Sequence, residues 1–287
     1  MTKQFNLQKI SQFFLVKIFI GIAVVGGLVA FTEWAGKLLL ENFHISDESK
    51  NIIIAISDAT IALFSYIFLF SIYEKRLINE LSFSSFCKNA IIGFATGLSL
   101  QALFILVLFI SGNYSIAAIN PFRYLLPSFA MSLTAGFVSE ILIRGIIFRI
   151  IEEISGTVIA LLIITLLFAV LHLNVAGATL ISVMTTAMQA GLVLSAAYVF
   201  TRSLWFTIFL HFAWDFAEPG IFGAINPGNS IQQSLFTSKI SGTLLLTGGK
   251  LGPQNSIQAL IFCSITALLF LFLAKKNNKF IKPHSRN

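Results

Sequence analysis

Charge is scarce in this chain. Asp, Glu, Lys and Arg make up 11% of its 287 residues, against 56% hydrophobic types and 30 Phe. Mean hydropathy is +0.88. Such a composition leaves too little polar surface for a water-soluble domain and points to a polytopic membrane protein. Cysteine is nearly absent: Cys87 in a polar connection and Cys263 in an apolar stretch support neither a disulfide framework nor a Cys-based metal site. Several hydrolase signatures are missing as well. There is no His-Glu-x-x-His helix, no Gly-x-Ser-x-Gly elbow and no Gly-Asp pair of the aspartyl intramembrane type. No repeat of fixed period is visible, which argues against a solenoid and lends no support to the inverted repeats of many transporters.

Apolar runs are what the sequence has in quantity. Reading for runs of about 18 or more such residues gives eight candidate helices at 12–31, 52–72, 89–111, 124–151, 157–174, 178–200, 203–218 and 256–274. The predicted fold is therefore all-α, a transmembrane bundle of about eight helices. Cytoplasmic loops carry the excess of Lys and Arg, and the basic residues fall at alternate helix ends. Lys3 and Lys9 precede the first helix. Lys75, Arg76 and Lys88 follow the second, Arg149 the fourth, Arg202 the sixth, and Lys275, Lys276, Lys279 and Lys282 the eighth. The intervening connections are acidic or nearly neutral, as with Glu33, Glu41, Asp47 and Glu48 against Lys37 and Lys50. Both termini are thus expected in the cytoplasm. The first run is long and lacks a small-residue cleavage site, so it reads as a retained anchor. A net charge of +7 suits the anionic cytoplasmic leaflet of a lipid bilayer and requires no nucleic acid.

One shift in composition stands out at 219–255, rich in Gly, Asn, Ser, Gln and Thr with Pro219, Pro227 and Pro253. It reads as a long external loop packed over the bundle. The expected organisation is 1–124 with three helices, 125–275 with the remaining five and this loop, and a basic tail at 276–287. In the sixth helix Ala187, Gly191 and Ser195 form a stripe of small residues suited to close packing within the bundle. Lys17 and Asp58 are extra charges at membrane depth: a structural pair, snorkelling groups or part of a transport path, of which the structural reading is preferred.

Chemistry concentrates at three i,i+4 pairs within apolar runs: Glu140 with Arg144, Phe168 with His172, and His211 with Asp215. Residues four apart share a helix face, and an ionisable group at membrane depth is a site hypothesis by default. His44 and His284 lie in polar segments, so the other two of the four histidines are set apart. Arg144 can hold the Glu140 carboxylate in a fixed pose; a structural salt bridge is the alternative. His172 reads alone as a core residue or as a catalytic one. His211 with an acid one turn away can fix a tautomer, contact a metal, bind an oxyanion or form a structural pair. Together, a carboxylate, two imidazoles and a second acid are the inventory of a hydrolytic site. Counting about 1.5 Å per residue puts Glu140 and His211 in the cytoplasmic half and His172 nearer the external side, so convergence needs a later start or a tilt of the fifth helix.

These residues resemble the CPBP intramembrane proteases (CAAX protease and bacteriocin-processing, also called Abi). That family's pattern is Glu-Glu-x-x-x-Arg, then Phe-x-x-x-His, then His-x-x-x-Asn or His-x-x-x-Asp, each on its own helix. Here it reads Ser139-Glu140 to Arg144, Phe168 to His172 and His211 to Asp215. The run Thr201 to Trp205 and the run Gly252 to Ser256 are also similar to the family, so the resemblance covers about 125–275. It implies an integral membrane endopeptidase, in a bacterial plasma membrane, acting on a membrane-associated peptide or protein substrate. In the mechanism it implies, Glu140 and His172 activate a water, His211 with Asp215 stabilises the oxyanion, and Arg144 fixes the carboxylate. Ser139 departs from the pattern, standing where the family has its first Glu, the carboxylate usually assigned to water activation. Three outcomes follow: Glu140 takes that role; the chain is a catalytically impaired relative serving in bacteriocin immunity or as a scaffold; or the site works through a divalent metal such as zinc on His172, His211 and Glu140. A small-solute transporter with polar pairs along its path is a further alternative.

Overall fold

The structure, a computed structural model, describes residues 13–224 and 233–283. Lys3, Lys9, Pro227 and His284, and the ends of the predicted first helix and basic tail, lie outside the described residues. Helices account for all eight apolar runs: α1 (Phe14–Leu40), α2 (Asp47–Tyr73), α3 (Phe86–Ile110), α4 (Phe122–Ser155), α5 (Thr157–Leu173), α6 (Leu180–Thr201), α7 (Leu204–Phe216) and α8 (Ile257–Lys276). Six of them are long and apolar enough to cross a membrane. The other two, α5 with 17 residues and α7 with 13, are shorter. The chain is an integral membrane protein by this measure, and of the eight predicted helices six have the length of a full crossing while α5 and α7 are shorter.

Local chemistry sets where these helices begin and end. Ser46 accepts from the Ser49 amide at 3.2 Å, with Asp47 and Glu48 in the first turn of α2 against the helix dipole. Thr179 and Ser182 form a reciprocal capping box at α6. Gly156, at a φ of 81°, separates α4 from α5, and Arg202, at 53°, separates α6 from α7.

The helix α7 is apolar except for Thr207, His211 and Asp215, and it is central. Its Leu204, Ile208, Leu210 and Ala213 are buried from solvent and lipid alike. Close approach to α3 depends on two glycines: a Cβ on Gly93 or Gly97 would stand 2.3 Å from the Phe206 or Leu210 carbonyl oxygen. The small-residue stripe of α6 is likewise used inside the bundle, since a Cβ on Gly191 would stand 2.7 Å from Thr165 Cα of α5. One core cluster joins Val25 of α1, Tyr66 of α2, Ile146 of α4, Ile164 of α5 and Ile208 of α7.

The basic helix ends meet on one face of the bundle. Arg149 Nη1 lies 2.9 Å from Glu74 at the end of α2, and Lys17 Nζ lies 3.6 Å from the same carboxylate. Arg202 binds Glu152 at 2.6 Å and donates to the Lys279 carbonyl, while the Thr157 amide donates to Ile281. Lys17 is therefore not paired with Asp58, as its sequence position had led us to expect. A carboxylate at the end of α2 is nearer than one midway along it.

The all-α expectation needs one amendment. Tyr114–Ile119 (β1) pairs antiparallel with Phe236–Ile240 (β2), with a bulge between Ile116 and Ala118. The 219–255 segment is thus more than loop. It completes a two-stranded ladder and then forms short helical turns at Leu244–Thr247, Gly249–Leu251 and Pro253–Asn255 before α8.

Candidate functional site

Three of the helices around the polar pairs widen locally, whereas α5, which carries Phe168 and His172, is regular. In α4, π-helical turns at Ala135–Ser139 and Ile141–Phe148 flank Glu140; in α6 one spans Ala187–Val193; α7 continues as another at Ala217–Ile221. Such wide turns displace side chains from ideal α spacing and occur often at functional sites. Arg144 and Gln189 lie within these turns, Glu140 lies between the two in α4, and Glu218 lies in the continuation of α7.

Glu140 and Arg144 are fully buried, with 0% of either side chain exposed. Arg144 Nη1 donates to Glu140 Oε1 at 2.8 Å, and its Nη2 donates to the Ala190 carbonyl of α6. Phe168 finds its use here: the guanidinium lies over its ring, 5.6 Å from the centroid. Burial of the two charges is tolerable because each has the other.

The same Glu140 Oε1 lies 2.8 Å from His211 Nδ1. Ser139 Oγ donates to the Ala135 carbonyl at 2.5 Å and stands 3.1 Å from that same ring nitrogen. On the other side of the imidazole, Nε2 is 3.3 Å from Asp215 Oδ2. A chain of contacts thus runs Arg144, Glu140, His211, Asp215. Along it side-chain exposure rises from 0% at Glu140 to 18% at His211 and 35% at Asp215. The carboxylate at the buried end orients the ring; the one at the other end is partly open to the cavity.

His211, Asp215 and His172 line one cavity of about 260 Å³. Helix α5 begins at Thr157, as its sequence predicts, and His172 lies in its last turn, so a later start does not explain the convergence. The cavity instead reaches both rings from walls that include Val193, Leu210 and Trp214. His172 Nε2 is buried without a hydrogen-bond partner, as is Glu140 Oε2.

Four further polar side chains belong to this region and were not singled out from the sequence. Gln189, Gln254 and Asn255 line the cavity, where Trp214 Nε1 donates to Gln254 Oε1 at 2.9 Å and Gln189 Nε2 donates to the Gln254 carbonyl. Glu218, 4% exposed, accepts from the Gln254 amide at 3.1 Å. Gln189 carried a readable signal, a lone amide within an apolar helix. Gln254 and Asn255 lie in the Gly252 to Ser256 run that is similar to the family, but an amide in a polar connection does not by itself mark a site residue.

The arrangement does not suit a metal ion. Among the described residues no group of three His, Cys, Asp or Glu side chains is placed to hold one. In the set expected from the sequence, Glu140 Oε1 is already engaged by Arg144 and His211, and both His211 nitrogens face carboxylates. The zinc expectation on His172, His211 and Glu140 thus finds no ligand set.

Residues 121–217 match the family model described as Type II CAAX prenyl endopeptidase Rce1-like. That stretch runs from the start of α4 to the end of α7 and includes all three polar pairs. It agrees with the CPBP resemblance of the sequence motifs. No curated protein and no solved structure matches the chain.

Proposed function

We propose that the chain is an intramembrane endopeptidase that hydrolyses a peptide bond of a membrane-associated peptide or protein in the His172–His211 cavity. The observation that carries this reading is the shared cavity itself: two imidazoles and Asp215 line one partly open space, with His211 anchored from behind by Glu140. His172, with an uncommitted Nε2, takes a proton from water as the oxygen attacks the scissile carbonyl carbon. The carbonyl electrons move to oxygen, and the resulting oxyanion is stabilised by the Nε2–H of His211, from which Asp215 gives way. Collapse breaks the C–N bond, and His172 returns its proton to the leaving amine. In this scheme Glu140 works through His211, because one carboxylate oxygen is held by Arg144 and His211 while the other is buried. The basic face lies in the cytoplasm, and the setting is a bacterial plasma membrane.

A specific observation favours a second reading. Ser139 stands where the resembled family has its first carboxylate, and its hydroxyl is committed to the Ala135 carbonyl beside His211. A chain so altered serves as a catalytically impaired relative, using the cavity to bind a peptide in immunity or scaffolding. The two readings separate in one experiment. Purified wild type and Ser139→Glu are compared in liposomes on the same panel of reporter peptides, with His172→Ala in each background. Wild-type turnover lost in His172→Ala supports the endopeptidase. An inert wild type with turnover in Ser139→Glu supports the impaired relative. Wild-type turnover that survives His172→Ala overturns the mechanism.

A further inference from the structure

A second cavity, of about 730 Å³, opens between α1, α2 and α4, and shares no lining residue with the His211 cavity. Its α2 wall is one helix face: Asp47, Asn51, Ile54 and Asp58 follow one another at three- and four-residue steps, with Ala55 beside Ile54 on the same side. Eleven residues at 1.5 Å each carry that wall about 16 Å from rim to floor. The rim residue Asp47 is exposed, whereas the floor residue Asp58 is 1% exposed.

The charges lining this shaft do not balance. Glu33, Asp47, Glu48 and Asp58 face it, against Lys37 alone. Lys37 is held by Glu33 at 2.5 Å, and Asp47 has Lys50 at 3.9 Å. Asp58 Oδ1, at the floor, is buried with no hydrogen-bond partner. A carboxylate stranded at that depth is costly, and the cavity in front of it gives room for a compensating charge.

The shape of the cavity selects among cations. No three His, Cys, Asp or Glu groups among the described residues are placed to hold a metal ion. The space is far larger than a bare ion needs, and Ile54, Ala130 and Met131 give it apolar walls. We propose that this cavity binds an aliphatic primary ammonium, its head on Asp58 and its alkyl body along α2 and α4. The ammonium comes either from a water-borne amine or from the amino headgroup of a lipid.

The test uses the full-length protein in phosphatidylglycerol nanodiscs, with hexylammonium as probe and hexanol, sodium and calcium as controls. Hexylammonium is expected to raise the unfolding temperature and to bind measurably by calorimetry, whereas hexanol and the metals do not. Asp58→Asn, which keeps side-chain size, should weaken hexylammonium at least tenfold while the protein remains folded. Glu48→Gln at the rim should weaken it less, and chiefly at low salt. Addition of phosphatidylethanolamine to the nanodiscs assigns the source: competition with the probe identifies the lipid headgroup, and undiminished binding identifies a soluble amine. Equal protection by hexanol, calcium protection without hexylammonium protection, or unchanged affinity in Asp58→Asn would each overturn the proposal.

Discussion

Glu140 Oε1 and His211 Nδ1 lie 2.8 Å apart, across 71 positions of sequence and between two different helices. One oxygen of a carboxylate that has no exposed surface therefore serves both Arg144 and the imidazole. Any change at this point acts on two neighbours at once, and each of the following expectations can be measured separately.

Removing the cation should cost more than removing a surface charge. In Arg144→Ala the buried Glu140 carboxylate loses its counter-charge, which should destabilise the fold by about 3–5 kcal/mol. Arg144→Lys should recover part of this, since it restores charge without the planar fork. Thermal unfolding and folded yield in detergent test both, and wild-type stability in the Ala variant would contradict the buried pair.

Catalysis, if the endopeptidase reading holds, should separate the two histidines from their anchor. His172→Ala should lower the rate on a reporter peptide by about 10²- to 10⁴-fold, the usual contribution of a general base. Glu140→Gln should also lower it, and should in addition lower the unfolding temperature because Arg144 is left unpaired. A Glu140→Gln protein of full stability and full activity would remove Glu140 from the site.

The glycines of α3 offer a contrast. Gly97→Ala drives a methyl group to 2.3 Å from the Leu210 carbonyl, one residue before His211, and should cost about 1–3 kcal/mol through forced displacement of α7. Gly26→Ala in α1 meets nothing within 4 Å and should be neutral or stabilising by up to about 1 kcal/mol through helix propensity. The two melting temperatures should move in opposite directions or differ clearly.

Acid should loosen the basic face of the bundle. Burial pushes the Glu80 carboxyl up, but hydrogen bonding and charge from Arg76, with the Tyr66 hydroxyl, outweigh it and leave the group below its ordinary 4.5. Because the folded state holds this carboxylate more acidic than the unfolded chain does, its contribution is present above pH 4.5 and is lost as pH falls through the lower folded value. Glu80→Gln should flatten the acid limb of unfolding temperature against pH below 4.5. An unchanged acid limb would show that Glu80 has no part in it.

Orientation is open to labelling. With Cys87 replaced by Ser, a cysteine at Lys75 or Lys276 should be shielded from an impermeant reagent applied outside, and one at Lys239 in β2 should react. External reaction at Lys276 would remove the expectation that the C-terminus is cytoplasmic.

Much of this molecule follows from local sequence. A run of apolar residues in a solvent without hydrogen-bonding partners has little choice but to be helical, and so all eight runs are helices; most ends fall near the predicted ones, but α1 continues nine residues past the predicted 31 to Leu40 and takes Glu33 and Lys37 into the helix, and α2 starts five residues early at Asp47. The i,i+4 rule alone placed Glu140 beside Arg144 and His211 beside Asp215, since both partners ride on one helix. Contacts between helices were not available in that way. The hydrogen bond from His211 to Glu140, the seat of Arg144 on Phe168, and the union of His172 and His211 in one cavity depend on how α4, α5, α6 and α7 cross. Wide turns in α4 and α6, which no periodicity announces, also shape them. The two-stranded ladder depends on pairing across more than a hundred residues, between segments too short to declare themselves as strands. Lys17 could have met either Asp58 within α2 or Glu74 just past its end. The packing of α1 against that helix, a tertiary matter, gave it to Glu74 and left Asp58 facing an open cavity.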